Sequence, residues 1–425
     1  METAPCLKNR LPLPRWFFVF TALLFLGLNG TEQDVFRNDV LTFHGKESIT
    51  ADSLTSDSFP VTLVSKAATP SEYSIILRRI DPVEKALFLD AQNGRWHRFD
   101  LFRAALIAEG IRDPKLIDTY EARLDALVAK VLAAAQATGS TNQQTLTRSL
   151  FEAMHKEILT GGYSLHCTEL SKVMGTGSFN CVSATILFNV LAEKAGLDVS
   201  GLEMPGHALS RVRFADGVTV SIETTAPTWF DMQTDRERQL ATLQRIAPTP
   251  AIPDPVTARN AAAPPEVVAE AELLSKHREI NSVQLVATIY YNRGVDLHAK
   301  KRFPEAAAAN LKALYLDKDN TQAWTNLLAS LNNWALHLAQ EGRRYDDAAV
   351  ILDQGVTLDS TYANFRTNQT YVFHRWISGL AGLGHFDAAR VVYGHAEQRI
   401  PGDGNLQKLI DEVNQTEANI LRQRR

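Results

Sequence analysis

The chain has 425 residues, a length that favours two domains over one. Its 45% hydrophobic and 22% charged residues are typical of an ordinary globular protein. A net charge of −4, without a basic patch interleaved with aromatic residues, argues against nucleic-acid binding. The sequence contains no glycine-rich phosphate-binding loop, and no cofactor is expected.

The N-terminus carries a compartment signal. Basic residues precede an uncharged apolar run at 16–30, which has the length of a signal-peptide core and is short for a membrane-spanning helix. Residues 1–30 are therefore predicted to be a signal peptide or, because no small-x-small cleavage site is clear, an uncleaved membrane anchor. A buried helix is disfavoured because the run has no polar face. Both remaining readings predict an exported protein, periplasmic or anchored to the membrane with its domains outside the cytoplasm.

The rest of the chain divides into four predicted segments. Residues 31–75 are polar and aperiodic and read as a tether. Residues 76–230 begin with helical patterns, expected to form a cap, and end with strands, which predicts an α+β domain. Residues 231–283 are rich in proline and alanine and read as a linker. Residues 284–415 carry a helical repeat pattern.

Cys181 lies at the predicted start of an apolar helix in the α+β domain. Ser178 and Asn180 before it are good N-cap residues, and Gly196 is a typical helix stop. The apolar residues that recur at helical spacing between them are Ala184, Leu187, Phe188, Leu191 and Ala195. A helix N-terminus favours an anion, so the position suits a reactive thiolate. The alternative is that Cys181 is a small buried hydrophobic residue.

A predicted β-hairpin after this helix carries His207 and Glu223. Pairing Phe214 with Val218 around a three-residue loop makes one face of the hairpin uniformly apolar. That face contains Ala208, Val212, Phe214, Val218, Val220 and Ile222. The same register makes His207 and Glu223 diagonal neighbours, roughly 7 to 8 Å apart, on the other face. A two-residue turn at Asp216-Gly217 would shift the register and separate them, so the first register is preferred.

A thiol, an imidazole and a carboxylate in this order predict a thiol-nucleophile site. Cys181 would attack a carbonyl, His207 would act as base and then as acid, and Glu223 would orient the imidazole. The backbone N–H of Cys181 would stabilise the oxyanion. Taken singly, His207 could be a turn residue and Glu223 a solvated one.

The segment from about 145 to 225 resembles the core of the transglutaminase-like superfamily, and most closely its bacterial members that carry tetratricopeptide repeats. Cys181 matches the nucleophile in the family's pattern of a small or polar residue, then Asn, then Cys. His207 matches the histidine of its Pro-Gly-His, whereas Glu223 falls where the family usually has aspartate. The resemblance implies an α+β, papain-like core with a Cys, His, acid triad. The superfamily includes acyl-transfer enzymes, peptidases, amidases and inactive members, so no substrate follows from the resemblance.

The cysteines leave two further alternatives open. The chain has Cys6, Cys167 and Cys181, and in an exported protein a disulfide between the last two would abolish nucleophilic chemistry. A zinc site formed by His166, Cys167, Cys181 and His207 is disfavoured because closely spaced ligand pairs are absent. No metal is therefore predicted.

Residues 287–320 fit the 34-residue tetratricopeptide pattern. The residues expected where its two helices pack closely are Tyr290, Gly294, Ala306 and Ala313. Comparable units follow around Ala348 and Ala389. The spacing from Ala306 to Ala348 to Ala389 is about 42 and 41 residues, which is longer than 34 and predicts longer first helices in the later repeats. A generic helical bundle is the alternative. An all-α repeat solenoid would bind a protein or peptide partner on its concave face.

Two functions are consistent with this sequence. The first is an exported, transglutaminase-like cysteine enzyme, a hydrolase or acyltransferase that acts on amide or ester bonds through a thioester. The second is a catalytically silent scaffold that binds partners through the repeats.

Overall fold

The computed structural model of the protein describes residues 81–139, 142–204, 206–232 and 277–423. These residues form a mixed α/β core followed by a helical region. The expected signal peptide or anchor, the tether and most of the linker lie outside the described residues. Within the described part of the chain, every helix is too short or too polar to cross a membrane.

Three helices open the core, and an aspartate directly before each one caps its N-terminus. They are α1 (Pro82–Asp90), α2 (Leu101–Glu109) and α3 (Pro114–Ala137). The side chains of Asp81, Asp100 and Asp113 accept backbone N–H groups of the first turn, which otherwise lack partners. The helical patterns predicted at the start of residues 76–230 are thus confirmed as helices, and their apolar faces join the main core.

The segment around Cys181 alternates helices with short strands. Its elements are α4 (Gln143–Glu157), β1 (Gly162–Tyr163), α5 (Leu170–Thr176), β2 (Ser178–Phe179) and α6 (Cys181–Lys194). Strands β1 and β2 pair in parallel, with Tyr163 opposite Phe179. Helix α6 is almost entirely buried and forms the centre of the core, as its mostly apolar sequence predicts.

A four-stranded antiparallel sheet packs against α6. Its strands are β3 (Asp198–Met204), β4 (His207–Arg213), β5 (Thr219–Ile222) and β6 (Arg278–Ile280), in the spatial order β5-β4-β3-β6. The reading of 231–283 as a linker is therefore wrong at its end. Residues 278–280 form the edge strand, and three residues are too few to give a recognisable alternating pattern.

The hairpin register predicted from the sequence is confirmed. Val212 pairs with Val220, and Phe214 donates its N–H to the carbonyl of Val218 at 2.8 Å. Ala208, Val212, Phe214 and Ile222 are buried in the main core, whereas Val218 at the hairpin tip is 47% exposed. The buried hydroxyl of Ser210 on the same strand bonds to Asn189 of α6.

The C-terminal region consists of consecutive helices. They are α7 (Ser282–Ala299), α8 (Phe303–Leu316), α9 (Thr321–Glu341), α10 (Tyr345–Leu358), α11 (Ala363–Gly382), α12 (Phe386–Arg399) and α13 (Gly404–Gln423). Each helix packs against the next, and alternate helices from α7 to α13 also touch. This arrangement fits repeated helix pairs. The first helices of the later pairs are longer, as expected. Helix α9 has 21 residues and α11 has 20, whereas α7 has 18.

The first helix pair packs as the sequence pattern predicts. Tyr290, Ala306 and Ala313 are completely buried. Gly294 faces Asn310 of α8 so closely that a Cβ there would lie 2.7 Å from the amide nitrogen of that side chain. The small residues therefore set the distance between α7 and α8.

The core and the helical region share one hydrophobic cluster. At their junction lies Gly201 of β3, where a Cβ would come within 2.7 Å of Leu285 on α7 and 2.8 Å of Ile280 on β6. The cluster continues from the N-terminal helices to α11, and a second, smaller cluster holds α11, α12 and α13 together. The sheet and the first helices of the array are thus packed as one body.

Candidate active site

Cys181 is the first residue of α6 and is buried, with 7% of its surface exposed. Asn180 and Ser183 form a capping box around it. The Asn180 carboxamide accepts the N–H of Ser183, and the Ser183 hydroxyl accepts the N–H of Asn180, both at 3.0 Å. The N–H of Cys181 belongs to the first turn, where a helix provides no internal acceptor. The cap thus fixes the thiol beside an electropositive helix end.

The same two capping residues hold the segment that precedes α5 against the start of α6. Asn180 donates to the carbonyl of Leu165 at 3.0 Å and to the hydroxyl of Thr168 at 2.7 Å. Ser183 donates to the carbonyl of Cys167 at 2.7 Å. These buried bonds make the surroundings of Cys181 rigid, since each would leave an unsatisfied polar group if it were lost.

His207 and Glu223 meet as the register predicts. His207 begins β4, and Glu223 follows the last residue of β5. Their atoms Nε2 and Oε2 are 2.7 Å apart, and both side chains are almost fully buried. The Cys181 side chain lies close enough to the ring to contribute to the raised pKa of His207. Because Nε2 is engaged by Glu223, Nδ1 is the ring nitrogen left for the thiol. The structure therefore brings together all three residues singled out from the sequence.

The pair is charged. Burial by itself would lower the pKa of His207, but the Glu223 charge and the hydrogen bonds to Cys181 and Glu223 outweigh it and raise that pKa to about 10. Burial by itself would raise the pKa of Glu223, but the His207 charge and hydrogen bonds from His207 and Thr225 hold it below its usual value. At neutral pH the site contains an imidazolium and a carboxylate.

A turn after β5 positions Glu223, and its anchors were not predicted from the sequence. Thr225 donates its N–H to Oε1 of Glu223 at 2.9 Å, and its hydroxyl donates to the same oxygen. His155 of α4 donates Nε2–H to the carbonyl of Thr224 at 3.1 Å, and the hydroxyls of Thr185 and Thr224 are 3.0 Å apart. The burial of His155 lowers its pKa, which suits this role as a neutral donor.

Tyr163 is a further residue of the site, and it was not predicted from the sequence. It lies on β1, half exposed, and its hydroxyl is close enough to the Cys181 side chain to interact with it. Its ring meets that of Phe179 edge to face, with centroids 6.1 Å apart. Only a parallel pairing of two-residue strands brings Tyr163 to Cys181, and no periodic pattern marks such short strands.

No disulfide joins Cys167 to Cys181 in this structure, so the pairing considered from the sequence does not form. His166, a residue of the zinc alternative, instead contacts Asp296 of α7 at 3.1 Å. Among the residues that the structure describes, no group of three or more His, Cys, Asp or Glu side chains is placed to hold a metal ion. The thiol of Cys181 is thus available for chemistry.

A protein-family model matches the part of the chain that contains this site. Residues 118–263 match the model of the transglutaminase-like superfamily. The match extends from within α3 past β5 and includes Cys181, His207 and Glu223. It supports the resemblance seen in the sequence for the mixed α/β core. A comparison with curated proteins finds no match.

Proposed function

We propose that the protein is a cysteine-dependent enzyme that transfers or hydrolyses acyl groups of amide or ester substrates through a thioester on Cys181. The observation that carries this proposal is the buried contact between Nε2 of His207 and Oε2 of Glu223, with the Cys181 side chain near the same ring. A thiolate is the attacking species, and an adjacent imidazolium and a helix N-terminus both favour it. The transglutaminase-like match over the same residues supports the proposal.

In the acylation step, the Cys181 sulfur attacks the substrate carbonyl and its electron pair forms the carbon–sulfur bond. The carbonyl π electrons move to oxygen, and the N–H of Cys181 donates a hydrogen bond to that oxyanion. As the carbonyl reforms, the bond to the amine or alcohol breaks, and His207 gives its proton to that leaving group. The product is a thioester on Cys181.

In the second step, water or an amine attacks the thioester. His207 takes the proton of this nucleophile, and the thiolate leaves with its electrons, which restores the resting charges. Glu223 stays ionised throughout and orients the ring through Nε2. Its longer side chain takes the role for which the superfamily usually has aspartate, because it reaches His207 from just beyond the end of β5.

We further propose that the helical region is a tetratricopeptide-like array that binds a protein or peptide partner, and that the chain is exported. The sequence pattern, the close packing at Gly294 and the contacts between alternate helices support the first part. The apolar run at 16–30 supports the second.

The enzyme proposal is tested with p-nitrophenyl acetate, an activated ester. The wild-type protein should release nitrophenol and gain one acetyl group on Cys181, detected by mass spectrometry of the peptide, and Cys181→Ala should gain none. Adding glycine ethyl ester should speed deacylation if an amine is the natural acceptor. A wild-type protein that forms no acetyl adduct on Cys181 would contradict the proposal and favour the silent scaffold.

A further inference from the structure

The short β1–β2 ladder brings Tyr163 to Cys181. Tyr163 pairs with Phe179, two residues before the thiol, and the N–H of Ser164 donates to the carbonyl of Phe179 at 2.7 Å. This places the Tyr163 hydroxyl within interaction range of the Cys181 side chain, and half of the residue remains exposed. The phenol therefore lies beside the reacting sulfur and also borders the solvent from which a substrate must come.

Two glycines allow this approach. At Gly161 a Cβ would lie 2.5 Å from the carbonyl oxygen of Thr176 and 2.6 Å from the nitrogen of Ser178. At Gly177 a Cβ would lie 2.8 Å from the nitrogen of Gly161, and the residue has a φ of +74°. The N–H of Gly161 donates to the carbonyl of Gly177 at 2.9 Å. The two backbones touch because neither residue has a side chain, so the position of Tyr163 is built into the fold.

We infer that the Tyr163 hydroxyl is the second hydrogen-bond donor to the oxyanion that forms when Cys181 attacks a carbonyl. This inference rests on the proposed function. The oxyanion lies two bonds from the sulfur, so a donor placed beside the sulfur reaches it with a small displacement. Together with the N–H of Cys181, the phenol gives the oxyanion two donors.

The phenol acts by hydrogen bonding and keeps its proton. Burial, the nearby charges of Cys181 and Glu223 and the hydrogen bond to Cys181 raise its pKa above the usual range. Tyr163 thus remains a neutral donor at neutral pH. The oxyanion collapses when the carbonyl reforms, and the proton for the leaving group comes from His207. No proton passes through Tyr163.

The test compares two reagents on Tyr163→Phe, which keeps the ring packed against Phe179. Iodoacetamide alkylates a thiolate by direct displacement and forms no oxyanion, whereas acetylation by p-nitrophenyl acetate passes through one. We expect the alkylation rate of the variant to stay within about threefold of wild type. We expect the acetylation rate to fall by about 10² to 10³, the usual effect of removing one oxyanion donor. Tyr393→Phe, which alters a phenol on α12, should change neither rate.

Each other outcome overturns the inference. Unchanged acetylation in Tyr163→Phe would show that the oxyanion does not use the phenol. An equal fall in both rates would show that Tyr163 acts on the thiolate and not on the oxyanion. A wild-type protein that alkylates but is never acetylated would contradict the proposed function itself, and this inference would fall with it.

Discussion

At the residue scale, the site depends on a charged pair in a buried environment. The imidazolium of His207 and the carboxylate of Glu223 are each almost fully removed from water, so neither charge is stable without the other. Oε1 of Glu223 is held by Thr225 and Oε2 by His207, which leaves both carboxylate oxygens satisfied. The pair is therefore expected to stabilise the folded protein as well as to support the proposed chemistry.

We expect Glu223→Gln to destabilise the protein by roughly 3 to 5 kcal/mol near pH 6, the usual cost of breaking a buried ion pair. The pKa of His207 is raised to about 10 in the folded protein, against about 6.5 unfolded. The stabilisation that protonated His207 gives the folded protein is therefore complete below about pH 6.5, and it is lost as the pH rises through about 10. Urea denaturation of both proteins across this range should show the difference in unfolding free energy shrinking with pH.

The contribution of Glu223 to stability changes with pH in the opposite direction to that of His207. The pKa of Glu223 is lowered in the folded protein, so its contribution is present above its unfolded value of about 4.3 and is lost as the pH falls through the folded one. The stability difference should therefore be largest between these two limits. A difference that does not change between pH 6.5 and 10 would contradict the raised pKa of His207.

At the element scale, the sequence predicts those features that local patterns encode. Asn180, the apolar spacing and Gly196 predicted α6 and placed Cys181 at its first turn, and the alternation of apolar residues predicted the register that joins His207 to Glu223. Tyr163 could not be found in this way, because its strand has two residues and pairs with a strand 16 positions later. Strand β6 is similarly short and is separated from β3 by more than 70 residues.

We expect Gly177→Ala to destabilise the protein by about 2 kcal/mol or more, because a Cβ would meet the Gly161 backbone and the residue has a left-handed conformation. Gly175→Ala is the matched control in α5, where a Cβ has nothing within 4 Å. It should be neutral or stabilise by roughly 0.5 to 1 kcal/mol, as alanine does within helices. Chemical denaturation gives both values, and equal effects would argue against the close approach of the two strands.

At the scale of the whole molecule, the described core and the first helices of the array form one body. Polar contacts across their junction accompany the shared apolar cluster. The hydroxyl of Tyr290 on α7 donates to buried Glu84 of α1 at 2.7 Å, and Lys312 of α8 donates to both oxygens of that carboxylate at 2.8 and 2.9 Å. The sequence indicated two separate domains, because periodicity within each segment says nothing about the surface that joins them.

We expect β4 and α7 to unfold together and α13 to open more easily. The first two elements contribute to the main cluster, whereas α13 packs only in the smaller one with α11 and α12. Hydrogen exchange followed by mass spectrometry at increasing denaturant concentrations should give β4 and α7 the same opening free energy and α13 a lower one. Separate transitions for β4 and α7 would contradict a shared core.

The central claim is that Cys181 is a nucleophile activated by His207. The most direct test is the rate of Cys181 alkylation by iodoacetamide as a function of pH, in wild type and in His207→Ala. His374→Ala, which changes an exposed histidine on α11, is the control, and circular dichroism verifies that each variant is folded. We expect the thiol to react well below pH 8 in wild type and in the control but to lose this reactivity in His207→Ala. A Cys181 that is inert, or equally reactive without His207, would contradict it.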